Sequence, residues 1–350
     1  MYLRNCWYAA AWDTEVGQTP FARTLLEESV MLYRKADGTP VALEDRCCHR
    51  NLPLSMGNIQ GDNIRCGYHG LLFAPSGKVI GIPGQTTIPP GAQVRSYPVV
   101  EKWRWLWIWM GDPAKADPAL IPDWYYMDHP DWIVAPGNGG KPLYVKCNYE
   151  LNNDNVLDLT HVGIVHESRL GGAAIGEFPV KTERRARGVR MSRQMYGVKP
   201  PPIFAKYVEA DAAGKVDRWQ ISELDVPTHC LVDVGILPPG QGVPGVVRKG
   251  AIDFRALISA TPETPSTMHL FYAQTRNFAH DDAKLADIWV NEFRELFMED
   301  VRVMEGQQAV NDRAPHRPLM DINSDSPTIA MRKVLAQHIA DEQRLAAAAE

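Results

Sequence analysis

The segment that decides the fold begins Cys47-Cys48-His49-Arg50 and, after residues 51–65, ends Cys66-Gly67-Tyr68-His69-Gly70. Each end of this segment supplies one cysteine and one histidine, separated by only a few residues. Thiolates and imidazoles on short turns are common metal ligands. The two stretches together therefore predict a metal site with four ligands: Cys47, His49, Cys66 and His69.

The order of these ligands separates two kinds of metal site. A structural zinc site usually keeps like ligands in pairs, whereas here each stretch offers one cysteine and one histidine. A 2Fe-2S cluster with both cysteines on one iron and both histidines on the other fits this interleaving, which is the Rieske ligand set. A zinc ribbon is the alternative. Gly67 and Gly70 would allow backbone N–H groups to approach the cluster sulfides.

Length and composition restrict the class of protein. The chain has 350 residues, enough for two domains that each bury a core. Its 37 basic and 42 acidic side chains give a net charge of -5, which does not indicate a nucleic-acid-binding protein. The six cysteines lack disulfide-like spacing, and residues 1–12 fit neither a signal peptide nor a membrane anchor. We therefore expect a cytoplasmic protein that is not inserted in a membrane.

The first third of the chain is predicted to be a small β-domain. Asp37-Gly38 predicts a hairpin turn between two apolar runs. In residues 99–110, tryptophans at every second position from Trp103 to Trp109 predict one buried strand. Gly111-Asp112-Pro113 ends this strand before a linker that reaches Pro122. The other strands predicted here cover residues 23–26, 30–34, 41–44, 70–73 and 77–80.

The remainder of the chain is predicted to be a long antiparallel sheet with helices, so the fold class is α+β. Helices are predicted at residues 282–310 and 328–347, and the glycines and prolines of residues 238–250 predict a mobile loop. The first of these helices has an apolar stripe made of Ile288, Phe293, Leu296, Phe297, Val301 and Met304. The predicted strands include residues 144–149, 188–193, 218–222, 230–235 and 269–274.

A second group of candidate ligands lies in this half. Helix is predicted from residue 150 to 166, where Asp158 and His161 are three residues apart and share a face. On a regular helix His161 and His166 would point about 140° apart, so they can bind one metal only if the helix is interrupted, and Gly163 is the predicted break. Two histidines and a carboxylate form the facial triad of non-haem iron oxygenases. Spacing alone leaves 42 acids as candidates for the carboxylate.

These motifs resemble those of a known family. Arg46-Cys47-Cys48-His49-Arg50 and the stretch from Cys66 to Gly70 resemble the two cluster-binding boxes of Rieske proteins. Asn155-x-x-Asp158-x-x-His161-x4-His166 resembles the iron motif of the oxygenase (α) component of Rieske non-haem iron oxygenases. This motif and Arg276-Asn277-Phe278 look most like the vanillate O-demethylase and toluenesulfonate methyl-monooxygenase oxygenase subunits. Cys48 departs from the family, which very commonly has proline there, and we interpret Cys48 as a spectator.

The resemblance implies two domains and their ligands. Residues 1–115 would form an all-β Rieske domain, with its cluster held by the four ligands above and covered by a proline-containing loop at residues 81–84. Residues 116–350 would form a catalytic domain, an antiparallel sheet flanked by helices that binds a mononuclear iron. Its ligands would be His161, His166 and an aspartate on the late helix, for which Asp300 is the choice and Glu299 the alternative.

The resemblance also implies an assembly and an electron path. Members of this family are homotrimers in which the cluster of one subunit faces the iron of the next. Asp158 would then bridge His69 of a neighbouring copy and His161 of its own chain, and Asn155 would belong to the catalytic site. NADH would supply electrons through a separate flavin and iron–sulfur reductase, and O2 would be the co-substrate.

The implied reaction is hydroxylation of the methyl of a methoxylated aromatic acid, which yields a phenol and formaldehyde. The first alternative is hydroxylation of a ring methyl on an aromatic acid or sulfonate. Others are ring hydroxylation by an enzyme with a small β-subunit, and electron transfer by a Rieske ferredoxin, which needs little beyond the first domain. The substrate pocket is expected between the sheet and the late helix, where the carboxylate needs an arginine or a polar cluster. Arg218 and Arg255 are equal candidates.

Overall fold

The computed structural model describes residues 1–171, 173–205, 207, 214–240 and 251–348. The chain forms two compact units, Met1–Asp123 with Thr261–Thr264, and Trp124–Ala260 with Pro265–Glu350. The predicted α+β class is confirmed, with strands in both units and two long helices after the second sheet. Residues 241–250 of the loop predicted at 238–250 lie outside the described residues.

Unit 1 contains three antiparallel sheets, ordered β1-β11-β10, β2-β3-β4-β9 and β5-β6-β7-β8. The predicted turn at Asp37-Gly38 is confirmed, since Gly38 adopts a φ of 85° between β3 and β4. Buried residues such as Met31, Phe73 and Ile64 form a core that includes both Cys47 and Cys66. The strands are β1 Trp7–Trp12, β2 Phe21–Leu25, β3 Glu28–Arg34, β4 Pro40–Glu44, β5 Asn58–Gln60, β6 Asn63–Arg65, β7 Leu72–Phe73, β8 Val79–Gly81, β9 Ser96–Tyr97, β10 Val99–Lys102 and β11 Trp105–Trp109.

The tryptophan-rich stretch forms a hairpin, so the prediction of one strand over residues 99–110 was wrong. Trp103 and Arg104 have φ values of 56° and 62°, and Lys102 pairs with Trp105 across the turn. Two residues with positive φ make the tight turn that matches the strand twist. Glycine or asparagine usually signals such a turn, and neither is present. The Trp103 indole N–H instead donates to the backbone carbonyl of Pro122 at 2.9 Å, which helps hold this conformation.

Unit 2 is built on one antiparallel sheet with the order β12-β19-β18-β17-β16-β15-β14, to which β13 adds by pairing with β19. Side chains of a strand alternate between the two faces of a sheet, so Arg218, Gln220 and Ser222 of β16 share a face. The Ser222 hydroxyl donates to the carbonyl of Val156 at 2.5 Å, which fixes α1 on that face. The strands are β12 Ile133–Pro136, β13 Leu143–Val145, β14 Val180–Arg185, β15 Gly188–Val198, β16 Val216–Asp225, β17 His229–Leu237, β18 Ile252–Thr264 and β19 Thr267–Arg276.

The helices of unit 2 are α1 Tyr149–Leu157, α2 Val162–Val165, α3 Glu167–Leu170, α4 Ala283–Arg313 and α5 Ser326–Ala347. The Asp282 carboxylate accepts from Leu285 N at 2.9 Å and caps α4. The apolar stripe predicted on α4 is buried except at Ile288, which is 48% exposed. Ile288 lies about 140° around the helix from Phe293, whereas Trp289 lies one turn from it and is buried in its place. No helix among the described residues is both long and apolar enough to cross a membrane.

Candidate active site

The first ligand stretch forms a tight loop directly after β4. The backbone N–H of Cys47 donates to the carbonyl of Leu52 at 2.8 Å, and Asn51 N donates to the carbonyl of Cys47 at 3.0 Å. Asn51 closes the loop with a φ of 59°, a conformation that asparagine tolerates better than most side chains. This loop therefore ties Cys47 to the core and leaves the residues after it at the surface.

The second ligand stretch repeats this loop after β6. Cys66 N donates to the carbonyl of Leu71 at 2.9 Å, and Gly70 N donates to the carbonyl of Cys66 at 3.1 Å. Gly70 has a φ of 73°, at the position that Asn51 occupies in the first loop. The two stretches are thus equivalent turns that differ in whether the histidine stands two or three residues after the cysteine.

The four predicted cluster ligands divide by burial. Cys47 and Cys66 are 2% and 3% exposed, whereas His49 and His69 are exposed and their ring centroids lie 4.6 Å apart. Burial raises the pKa of the Cys47 thiol, so a thiolate at this depth needs a cation, which a metal supplies. Two sulfur donors at the inner end and two imidazoles at the outer end fit a Rieske cluster.

Two glycines and a proline shape the surroundings of the second loop. A Cβ at Gly67 would lie 2.7 Å from the carbonyl oxygen of Met56, so only glycine fits there. A Cβ at Gly70 would lie 3.1 Å from Cγ of Pro83, which places the 81–84 loop against the ligand loop. The Cys48 side chain packs against the core of unit 1.

The ligands of the second site lie around a break in the helix. α1 ends at Leu157, and Asp158 caps it with φ and ψ values of -102° and 77°. The prediction of one helix from 150 to 166 with a break at Gly163 was wrong, because Gly163 lies inside α2. The Asp158 carboxylate accepts from the backbone N–H of Thr160 at 3.0 Å. An aspartate side chain that captures a backbone N–H in this way favours a turn over continued helix.

The short helix α2 brings the two histidines together. His161 precedes its first residue and His166 follows its last one, and their ring centroids are 5.3 Å apart. Asp300 of α4 lies between them, with Oδ1 3.4 Å from His161 Nε2 and 3.1 Å from His166 Nε2. One ligand atom from each of these residues lies within 4.8 Å of the other two. The structure thus places the three predicted iron ligands in one group.

The outer nitrogens of both imidazoles are held in place. His161 Nδ1 lies 2.6 Å from the backbone carbonyl of Asp158, and His166 Nδ1 lies 2.7 Å from Glu299 Oε2. Carbonyl and carboxylate oxygens only accept hydrogen bonds, so each Nδ1 carries the proton and each Nε2 keeps a free lone pair for a metal. Glu299 was the alternative ligand suggested by the sequence. In the structure it contacts Nδ1 of His166, on the side of the ring opposite Asp300.

Arg169 is a residue of this site that the sequence did not identify. Its guanidinium donates to Glu299 Oε1 at 2.6 Å and to Glu292 Oε2 at 2.8 Å. Arg169 therefore fixes the carboxylate that holds His166. No motif marks it, because the contact joins α3 to α4, which lies far along the chain.

The carboxylate of Asp300 has a third neighbour and a strongly shifted pKa. Asn155 donates to Asp300 Oδ1 from Nδ2 at 3.1 Å. Burial alone would favour the neutral acid, but His161 and His166 in their charged form, which donates from Nε2, hold the pKa of Asp300 well below its usual range. His166 Nε2 is buried and, among the described residues, has no partner other than this carboxylate. These donors fit an iron ion bound on one face by two imidazoles and a carboxylate.

A cavity adjoins this triad at the place expected, between the sheet and α4. Arg218 and Gln220 of β16 contribute polar groups to its wall. Arg255, the other candidate for a substrate carboxylate, does not line this cavity and pairs instead with Asp233 at 2.8 Å and Asp253 at 3.4 Å. The apolar lining includes Val232, Val234, Phe254, Ala256, Ile258 and Phe293.

Two known domain families match consecutive parts of the chain. Residues 6–98 match the Rieske 2Fe-2S domain, and residues 145–341 match the vanillate O-demethylase oxygenase C-terminal domain. The iron-sulfur subunit of a toluene-4-sulfonate monooxygenase system from Comamonas testosteroni is 41% identical over 93% of this chain and 94% of its own length. A vanillate O-demethylase oxygenase subunit from a Pseudomonas species is 34% identical over 100% of this chain and 98% of its own.

Solved structures of dicamba monooxygenase are also similar to this chain. A crystal structure of dicamba monooxygenase bound to 3,6-dichlorosalicylic acid has a TM-score of 0.87 and 30% identity, and the match covers 98% of this chain and 99% of the other. Another structure of dicamba monooxygenase contains non-haem iron together with dicamba. The chain therefore belongs to the Rieske non-haem iron monooxygenases, as an oxygenase component of the vanillate O-demethylase type whose cofactors are a Rieske 2Fe-2S cluster and a mononuclear iron.

Proposed function

We propose that this protein is the terminal oxygenase that hydroxylates the methyl of a methoxylated aromatic acid, which yields a phenol and formaldehyde. The observation that carries the proposal is the group of His161, His166 and Asp300 beside a largely apolar cavity that contains a buried arginine. Its relatives include oxygenase subunits of vanillate and dicamba O-demethylases. An aromatic ring suits the apolar wall, and an anionic substituent suits the arginine.

Each predicted domain has its own part in this proposal. Residues 1–115 carry the cluster through Cys47, His49, Cys66 and His69, and residues 116–350 hold the iron. When bound, the iron supplies the activation of O2. Asn155 and Glu299 keep the ligand set in position, and the apolar wall excludes water from the reacting methyl.

The path of the electrons requires partners. NADH is oxidised by a separate flavin and iron–sulfur reductase, which passes electrons one at a time to the exposed His49 and His69 end of the cluster. The relatives are oxygenase components of multi-component systems, which supports such a partner. None of the six cysteines forms a disulfide, which supports a reducing cytoplasm as the location.

We also infer a homotrimer in which electrons cross between copies. His49 and His69 are exposed in unit 1, and Asp158 and His161 of unit 2 line a surface depression with the exposed Leu319. Because Asp158 holds His161 through its backbone carbonyl and its carboxylate has Thr160 N as partner, the carboxylate can also accept from His69 of a neighbouring copy. Asp158 would then be the bridge for electron transfer.

One alternative has a specific observation behind it. The toluene-4-sulfonate relative is more similar to this chain, at 41%, than the vanillate relative, at 34%. Hydroxylation of a methyl on an aromatic acid or sulfonate is therefore the second candidate function. Its product would be a stable hydroxymethyl compound, because no leaving group is attached to the oxidised carbon.

A single turnover distinguishes the two reactions. Chemically reduced holoenzyme would be mixed with O2 and a panel of methoxylated and methylated aromatic acids and sulfonates, and the products measured by mass spectrometry. Formaldehyde with the matching phenol would support O-demethylation and identify the substrate. A hydroxymethyl product without formaldehyde would overturn the first proposal in favour of the second.

A further inference from the structure

Arg218 is a buried cation in the wall of the cavity beside the iron ligands. It lies on β16, is 7% exposed and lines the same cavity as His161, His166 and Asp300. Gln220 lies on the same face of the strand and lines the same cavity. On the side formed by the sheet, these two polar side chains interrupt a wall that is otherwise apolar.

The guanidinium of Arg218 has far more donors than partners. Of its five N–H groups, one on Nη2 donates to the carbonyl of Leu170 at 3.3 Å, and the buried Nε has no partner. Within the described part of the chain, no carboxylate forms an ion pair with Arg218. Burial lowers the pKa of Arg218 to about 10, so the group is still cationic at neutral pH. A buried charge without a counter-ion is costly, and an anionic ligand would remove that cost.

Arg255 lies on the same sheet and is an example of a buried arginine with a structural role. It is 3% exposed, and its guanidinium lies within 2.8 Å of Asp233 and 3.4 Å of Asp253. Its charge is therefore neutralised by the fold itself. Arg218 is also buried, but no carboxylate of the described residues neutralises its charge. It lines a cavity instead, which indicates a ligand-binding role.

Arg218 also stands where two cavities meet. A second cavity, lined by residues such as Gly171, Met195, Lys199 and Pro202, shares Arg218 with the first. Among the described lining residues, Arg218 is the one side chain common to both. A ligand anion bound there lies at the boundary of the inner cavity, whose other lining residues include the iron ligands.

We propose that Arg218, assisted by the amide of Gln220, binds the carboxylate or sulfonate of the aromatic substrate and so directs the opposite end of the ring toward His161, His166 and Asp300. This proposal rests on the proposed function and names the substrate group that the cavity selects. A planar guanidinium can donate two parallel hydrogen bonds to two oxygens of either anion. The neutral amide of Gln220 can donate to the same oxygens without adding charge.

The test compares acids with neutral amides of the same shape. Affinities of the holoenzyme for vanillate and vanillamide, and for toluene-4-sulfonate and toluene-4-sulfonamide, would be measured by isothermal titration calorimetry. We expect the wild type to bind at least one acid about 30-fold more tightly than its amide, the size of a buried hydrogen bond to a charged group. The preferred pair tells whether a carboxylate or a sulfonate is the natural anion.

Variants assign the effect to this residue. Arg218→Gln should abolish the preference for the acid while the affinity for the amide stays within about threefold, because only the charge-assisted bonds are lost. Arg190→Gln is the matched control, since Arg190 lies on the neighbouring β15, pairs with Glu223 and lines neither cavity. It should bind both ligands as the wild type does. Iron content and the cluster absorbance would verify that each variant is loaded.

Several results would overturn the proposal. They are equal binding of acid and amide by the wild type, no binding of either acid, or an Arg218→Gln variant that still prefers the acid. Equal loss of acid and amide binding in a fully loaded Arg218→Gln protein would show a structural role and overturn it too. If Arg218→Gln does not fold, the wild-type affinities still test the proposal, because equal binding of an acid and its amide would overturn it. Binding is measured without turnover, so a failure of the proposed reaction would appear separately, as missing products.

Discussion

The Glu299 carboxylate lies 2.7 Å from Nδ1 of His166, while the opposite nitrogen of that ring faces Asp300. Neighbouring acids of α4 thus act on the two sides of one imidazole. The first fixes its tautomer and orientation, and the second completes the group proposed to bind the iron. This division explains why two consecutive carboxylates occur where a single ligand is needed.

The first prediction concerns Glu299→Gln. The amide removes the charge that orients His166, and we expect iron affinity or turnover to fall about 10- to 100-fold, as for other partners of metal-bound histidines. Iron retained after dialysis against a chelator, together with turnover, measures this effect. Glu295→Gln is the control, because Glu295 is exposed and pairs only with Arg294 among the described contacts. Wild-type iron retention and turnover in Glu299→Gln would contradict the assigned role.

The second prediction separates two adjacent cysteines. Cys47→Ser should abolish the cluster, because it removes a buried thiolate ligand, whereas Cys48→Ser should retain it, because Cys48 packs at the edge of the core. Visible absorbance and acid-labile sulfide per chain measure the cluster. Loss of the cluster in a folded Cys48→Ser protein would show that Cys48 is more than a spectator.

The third prediction concerns Asp158→Ala. The backbone carbonyl that holds His161 is unchanged by this substitution, so both metals should be retained. Turnover driven by the reductase should nevertheless be lost, since the carboxylate that joins neighbouring copies is gone. Metal analysis and NADH-dependent product formation would be measured on the same sample. Loss of iron would instead make Asp158 a structural residue.

The fourth prediction concerns stability. Arg255→Ala removes the cation that pairs with the buried Asp233 and Asp253, and breaking a buried ion pair in this way costs about 3–5 kcal/mol. Denaturant unfolding followed by tryptophan fluorescence should show a clearly lower midpoint for this variant. Arg185→Ala, which breaks an exposed pair with Glu223, is the control and should cost less than about 1 kcal/mol. Equal midpoints for the two variants would contradict this assignment.

The sequence predicted the parts of the fold that rest on local chemistry. The two ligand loops follow from the spacing of cysteine and histidine, and the presence of α4 follows from its apolar stripe. The hairpin at Trp103 and Arg104 was missed because side-chain contacts, rather than glycine or asparagine, hold that turn. The break at Asp158 was missed because helical spacing alone does not show where a helix ends, and in the structure α1 ends there with Thr160 N donating to the Asp158 carboxylate.

Several residues of the candidate site could not be identified from the spacing of residues in the sequence. Asp300 is one of 42 acids, and only the resemblance to a known family singled it out in the sequence. Arg169 has no local signal, because its contacts with Glu292 and Glu299 depend on the packing of α3 against α4. The choice between Arg218 and Arg255 required the three-dimensional structure. There Arg218 lines the cavity, whereas Arg255 pairs with two aspartates.

We propose that oxidation of the substrate methyl takes place at the site formed by His161, His166 and Asp300. The most direct measurement is a single turnover by Asp300→Asn beside the wild type, each with a full cluster, reduced and mixed with O2 and the substrate identified in the panel. We expect about one product per active site from the wild type and none from the variant, which keeps its cluster but loses its iron. Product from an iron-free variant at the wild-type level would show that the reaction takes place elsewhere.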